Sequence, residues 1–222
     1  MGDLDGTLAA LAALGPFFAV DRYEPHGDWA PLSTLLEPGP LETRVEHTAG
    51  ALGLGDAADD VRVAASTVAL GLFSQLVSPV LGATATATPP PTITLDRTWW
   101  RPADSGPWML AVECIGDVEP MASALTGAVA PLVERFAEAF SLSRIVLWGN
   151  AASAAFGAVA ALHRVGADPA SRATRLALDA LRREPLHGHG EIVDRRFVRN
   201  SCCLYYRTPG GGYCGDCVLA QG

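Results

Sequence analysis

Leu4, Leu8, Leu11 and Leu14 recur at steps of four, three and three, the spacing that places side chains on one helix face. A loop rich in proline, glycine and aspartate follows, including Pro25-His26-Gly27-Asp28 and Pro38-Gly39-Pro40. A second helix is expected from about Leu41 to Leu52. A third, longer and largely buried, is expected from Asp59 to about Val80. The segment Thr84 to Pro91 alternates alanine and threonine and then breaks in three prolines, as a linker between two halves would. Two short strands are predicted next: Thr92 to Leu95, which alternates, and the apolar run Trp108 to Ile115, with Arg101 to Gly106 turning between them. Helical spacing then resumes. Leu125, Val129, Leu132, Val133 and Phe136 share one face, and Pro131 marks a kink or a new start. Ile145 to Val165 reads as an alanine-rich helix able to pack closely. Asp168-Pro169 supplies an N-cap acceptor and a first-turn proline for a further helix through Arg183. After Glu184-Pro185 the chain becomes glycine-rich, then basic, then cysteine-rich. The pattern predicts an α+β fold, mostly α-helical. A helical body spans residues 1–184 with a short β-hairpin and a sub-boundary near 84–91, and a small C-terminal module spans 185–222.

Composition narrows the function classes. The chain has 222 residues, 49% of them apolar, enough for one generous domain with a full core. Its formal net charge is −8 and no basic stripe stands out. Nucleic acid and anionic membrane surfaces are therefore poor partners, since both require clustered positive charge. Every Lys/Arg position is arginine. The apolar run from Thr7 to Val20 follows Asp3 and Asp5, where a signal peptide carries positive charge. The run from Val61 to Ala87 approaches the length of a membrane span but contains Arg62, Ser66, Thr67, Ser74, Gln75, Ser78 and Pro79, and reads as a buried helix. The expected location is the cytoplasm.

That location gives the cysteines meaning. Cys202, Cys203, Cys214 and Cys217 crowd into the last stretch of chain, with Cys114 apart. In a reducing compartment such crowding points to metal binding or redox work rather than to a disulfide framework. Between the pairs, Thr208-Pro209-Gly210-Gly211-Gly212 supplies a tight reversal, so Cys214 and Cys217 can fold back onto Cys202 and Cys203. Four converging thiolates suit zinc or an iron–sulfur cluster. Adjacent residues of an extended chain point to opposite sides, so a vicinal pair reaches one small ion only through a distorted backbone. Zinc is thus awkward but open, as is a redox dithiol.

The stretch Arg196 to Arg207, then Pro209, the glycines and Cys214-Gly215-Asp216-Cys217, resembles the C-terminal signature of the FhuF-like ferric-siderophore reductases. Those proteins bind a [2Fe-2S] cluster through C-C-x10-C-x2-C, and all four cysteines match this spacing. A second patch, Leu147-Trp148-Gly149-Asn150-Ala151-Ala152-Ser153-Ala154, resembles the family more weakly. The resemblance implies an iron–sulfur module with Cys202, Cys203, Cys214 and Cys217 as cluster ligands. It implies one-electron reduction of Fe(III) in hydroxamate-type siderophores. Cys114 lies outside the motif and reads as a small buried apolar residue. The competing classes are a [2Fe-2S] electron carrier or redox sensor that binds no siderophore, and a zinc-stabilised interaction module.

Further candidates surround this core. Trp99, Trp100 and Arg101, beside a proline, can line a substrate pocket by stacking or cation–π contact, although aromatic side chains usually bury for area. Trp148 and Asn150 lie in the second patch, and Asn150 either bridges to the cysteine module or satisfies a buried carbonyl. Arg196 and Arg199, with Arg195, form a basic approach that would receive an acidic donor protein or an anionic siderophore, or simply a solvated patch. Gly210, Gly211, Gly212 and Gly215 would let backbone N–H groups approach sulfur. His187-Gly188-His189-Gly190-Glu191 has alternate histidines, but its glycines favour a solvated loop over a metal site. Gly53-Leu54-Gly55 mimics a dinucleotide fingerprint without a preceding strand and is rejected. With no P-loop and no flavin signature, the expected electron source is a separate ferredoxin or flavoprotein.

Overall fold

The computed structural model describes residues 3–103, 106–165 and 170–221. Its organising element is α3 (Ala58–Thr86), flanked by α1 (Leu4–Ala12), α2 (Pro40–Ala51), α6 (Arg144–Arg164) and α7 (Ala170–Leu181). Helix α3 is apolar around most of its circumference because other elements cover it on most sides. Some of its hydroxyls turn back on the helix: Thr67 donates to the Val63 carbonyl at 3.0 Å and Ser74 to the Leu70 carbonyl at 2.8 Å. Helices α3 and α6 are long and apolar enough to cross a membrane by length and composition, yet most of each apolar window is buried inside the protein. Packing within the core accounts for their hydrophobicity.

Several expectations change. Helix α3 runs beyond Val80, so the first three residues of the segment read as a linker are helical. Thr84 and Thr86 turn their hydroxyls back to the Val80 and Gly82 carbonyls, which reconciles the polar alternation with a helix. The helix ends at Ala87, in the left-handed conformation. Thr92 to Leu95 does not form a strand; the pairing there is one bridge between Pro91 and Ile115. The hairpin is instead β3 (Thr98–Arg101) with β4 (Met109–Val112). Two very short strands missed from sequence, β1 (Asp21–Arg22) and β2 (Ala30–Pro31), extend it to four in the order β1-β4-β3-β2. A second hairpin, β5 (Gly190–Val193) with β6 (Arg196–Arg199), replaces the loop expected after Leu186.

The expected break at Pro131 is present. Helix α4 (Pro120–Ala124) passes through a π turn at Leu125–Val129 into α5 (Ala130–Phe140). Pro131 has no N–H to offer the Gly127 carbonyl four residues back. The Leu95 N–H takes that carbonyl at 3.0 Å, anchoring the segment before β3 to the helix. The Asp168-Pro169 cap lies outside the described residues; α7 itself is where the sequence placed it. The hydrophobic core is continuous from Leu8 in α1 to Phe197 in β6. The mostly α-helical α+β class holds.

Candidate metal centre

The second hairpin delivers the cysteines to the start of α6. Phe197 of β6 stacks on Phe156 of α6, ring centroids 4.4 Å apart and planes within 3°. Gly190 on the partner strand leaves room for that ring: a Cβ there would lie 2.3 Å from Phe197. Beyond the strand, the Ser201 hydroxyl donates to the Ile145 carbonyl at 3.1 Å. Its oxygen sits where a Gly149 Cβ would come within 2.2 Å, so glycine permits the loop to press on α6.

The loop then doubles back. Leu204 adopts the left-handed conformation (φ 69°), and its N–H donates to Cys202 Sγ at 3.3 Å. This turn distorts the backbone directly after the two adjacent cysteines. A 3-10 turn at Tyr205–Arg207 follows, closed when the Thr208 hydroxyl donates to the Tyr205 carbonyl at 2.9 Å. Gly211 approaches that turn so closely that a Cβ would lie 2.8 Å from the Tyr205 carbonyl oxygen. The glycines thus shape the reversal, while Leu204 and Tyr205 supply N–H bonds to the first cysteine pair.

The reversal brings Cys203 Sγ and Cys214 Sγ to 3.6 Å. Cys203 and Cys217 are buried, whereas Cys202 and Cys214 are half-buried. The shared Cys203–Cys214 proton stays on Cys214, and that hydrogen bond draws Cys203 down to about 6 against the opposing cost of burial. Cys214 is pushed up in return. Burial raises the Cys202 thiol, opposed by the Leu204 N–H. A thiolate and a thiol held in contact are ready to receive a cation.

Behind the cysteines lies Arg199, with 1% of its surface exposed. Its guanidinium grips both carboxylate oxygens of Asp216 at 3.0–3.1 Å and donates to Asn150 Oδ1 at 2.8 Å and Ser153 Oγ at 2.5 Å. Its backbone N–H also reaches the Asp216 carbonyl at 3.1 Å. Asn150 in turn donates from Nδ2 to the carbonyl and hydroxyl of Ser66, both at 3.0 Å. The Ser66 hydroxyl donates to the Cys203 carbonyl at 2.8 Å.

These donors fit an iron–sulfur cluster. All four are thiols, two of them lie at 3.6 Å, and N–H groups reach the sulfurs. That separation is close to the roughly 3.8 Å edge of a tetrahedron with metal–sulfur bonds of about 2.3 Å. Among the described residues, no three His, Cys, Asp or Glu side chains are grouped to hold a metal ion, and the sulfur contact formed is that of Cys203 with Cys214. Residues 199–219 match the family described as the FhuF 2Fe-2S C-terminal domain. The C-terminal module is similar to that domain. The match covers the cysteine module, and its cofactor is a [2Fe-2S] cluster. No curated protein matches the chain.

The other sequence candidates divide into two groups. Trp99 stacks on Tyr23 at 3.8 Å, Trp100 donates from Nε1 to Thr34, and Arg101 pairs with Asp28 and covers the Trp29 ring. These partners lie in the loops of the four-stranded sheet and in the 3-10 turn Leu32–Leu36 that follows β2, and both indoles are buried. The second group meets at the cysteines. Trp148 is half-buried beside His189, Asn150 is buried in the bridge just described, and exposed Arg196 donates to the Gly215 carbonyl at 3.2 Å. Arg199 is no part of an exposed basic patch, because its whole fork is engaged within the protein. The reading of the sequence missed Ser66 and Ser153, whose mid-helix hydroxyls gave no signal. It also missed that Asp216 pairs with Arg199. Ser153 and Gly149 do lie within the patch around Trp148.

Proposed function

We propose that this FhuF-like chain is a cytoplasmic ferric-siderophore reductase. In this reading Cys202, Cys203, Cys214 and Cys217 hold the [2Fe-2S] cluster. The observation that carries the ligand assignment is the doubled-back loop within residues 199–219, which brings Cys203 and Cys214 into sulfur contact. The cluster supplies electrons one at a time, which suits a single Fe(III) to Fe(II) step.

The substrate is Fe(III) in a hydroxamate-type siderophore. Oxygen ligands hold this hard cation tightly; one added electron lowers its charge and weakens their hold, so Fe(II) is released. Electron transfer requires close approach, not a bond. The approach falls on the side where Cys202 and Cys214 are half-exposed and Tyr205, Tyr206 and Tyr213 stand out from the surface. Exposed Arg196, bonded to the loop at Gly215, is placed to meet an anionic group on the complex or on a donor protein. The electron consumed comes from a separate ferredoxin or flavoprotein.

The first test is the visible spectrum of anaerobically purified protein, with iron, sulfide and zinc assayed on the same sample. Red-brown protein with about two irons and two sulfides per chain is expected. Colourless protein with about one zinc would overturn the reading and leave a structural module.

A further inference from the structure

The two cysteine pairs sit on opposite arms of a loop, and a site of four thiols is useful only if the arms keep a fixed spacing. The glycine-rich tip between them is a poor ruler, because glycine leaves the backbone its widest freedom. A different device is present behind the sulfurs. From the first pair, the Cys203 carbonyl accepts from Ser66 of α3, and Ser66 accepts from Asn150 of α6. Asn150 accepts from Arg199, which grips Asp216, the residue between Cys214 and Cys217. The chain of bonds therefore leaves one cysteine arm, crosses two core helices and returns to the other arm.

We propose that Arg199 is the positioning residue of the metal centre: its buried fork fixes both cysteine pairs to α3 and α6 before any metal is bound. This deepens the reading above, since it concerns the same four thiols. Three features of the group suit the task. The guanidinium is planar and presents its donors in a fixed geometry, so meeting Asp216, Asn150 and Ser153 together leaves it one orientation. It is buried, so its bonds are not exchanged with water. Its charge is balanced by Asp216, so the arms are held without leaving an unpaired charge beside the sulfurs. Lysine would keep the charge and lose the fork.

The experiment uses the full-length, reduced, metal-free chain and reads alkylation of each cysteine by mass spectrometry. In the natural sequence Cys203 and Cys217 label slowly. In Arg199→Lys, both label at least roughly tenfold faster, equivalent to about 1.4 kcal/mol, the lower end of a lost bond to a charged group. Ser66→Ala, which removes one hydroxyl and no charge, speeds Cys203 in the same direction. Arg207→Lys, a charge-conserving change at an exposed neighbour, leaves both rates alone, and Cys114 is the internal control in every variant. In iron-loaded protein, Arg199→Lys also alters the spin-resonance signature of the reduced state, and Arg207→Lys does not. Unchanged labelling of Cys203 and Cys217 in both Arg199→Lys and Ser66→Ala would overturn the proposal. The alkylation arm needs no cluster, so it decides the matter even if the purified protein contains zinc or fails to reduce a siderophore.

Discussion

Replacing Gly149 by alanine sets two forces against each other where the cysteine loop meets α6. Inside a helix alanine is favoured over glycine by about 1 kcal/mol, because glycine surrenders more backbone freedom on folding. The new methyl, however, would lie 2.2 Å from Ser201 Oγ. The hydroxyl must swing away and release the Ile145 carbonyl, which costs about 0.5–1.5 kcal/mol. Loop displacement adds the ordinary cost of overpacking, about 1–3 kcal/mol. The balance is a loss of about 1–3 kcal/mol, felt at the loop's seat rather than through the helical body. Ser201→Ala changes the sign. Only Cβ then faces the methyl, at 3.6 Å, an ordinary contact. In that background Gly149→Ala should stabilise by about 1 kcal/mol, so the cycle should show a coupling of about 2 kcal/mol or more. The assay is amide exchange of the cysteine loop and α6 in the metal-free chain, with Cys203 alkylation as a local probe. Stabilisation by Gly149→Ala in the presence of Ser201, or strict additivity in the cycle, would refute the contact.

Other outcomes follow from the same geometry. Cys203→Ser should abolish or destabilise the cluster while leaving helical circular dichroism intact, whereas Cys114→Ser should keep it; iron and sulfide content decides both. In the reduced, metal-free chain, ultraviolet thiolate absorbance should show one cysteine losing its proton near pH 6. Because the Cys214 hydrogen bond lowers the Cys203 value, its anion prevails above that pH and disappears as pH falls through it. Cys214→Ala removes the hydrogen bond and should return the transition toward the ordinary thiol value of 9.0, and no movement would discard the pairing. Gly82→Ala should loosen the docking of α1 on α3, because the methyl would meet Leu11 and Phe18 at 2.9 Å. Overpacking costs about 1–3 kcal/mol and the helix preference of alanine returns about 1, so the expected net loss in urea unfolding is about 0–2 kcal/mol, with cluster content unchanged in the folded protein.

Much of the helical framework is legible in the sequence because burial on one face leaves a periodic trace. Leu8 and Leu11 of α1, and Leu132, Val133 and Phe136 of α5, are buried as their spacing predicts. The reversal between the cysteine pairs is legible too, since proline and glycine constrain turns locally. The remainder depends on distant partners. Strands β1 and β2 have two residues each, too few to show alternation. Thr92 to Leu95 alternates like a strand, yet its backbone is directed elsewhere: the Leu95 N–H goes to a carbonyl left free by Pro131. Arg199 is the clearest example. Beside Arg195 and Arg196 it reads as surface charge, while Phe197, Val198 and Arg199 are all buried because β6 passes under α6 and the cysteine loop. Its counter-ion, Asp216, arrives seventeen residues later in the chain, and its other partners come from α6. No local pattern announces a pairing assembled from three separate segments. The exposed tyrosines of the cysteine loop, Tyr205, Tyr206 and Tyr213, are equally silent, since the Tyr206 and Tyr213 rings come together only when the loop folds back.

The most direct measurement of the account is a single-turnover experiment on anaerobic protein reduced by one electron per chain. It is mixed with a linear ferric trihydroxamate in the presence of a colorimetric Fe(II) chelator. The account predicts that the oxidised visible spectrum returns as Fe(II) appears, one for one, with rates that saturate in siderophore. A reduced protein whose spectrum stays bleached while the ferric complex remains intact would contradict it.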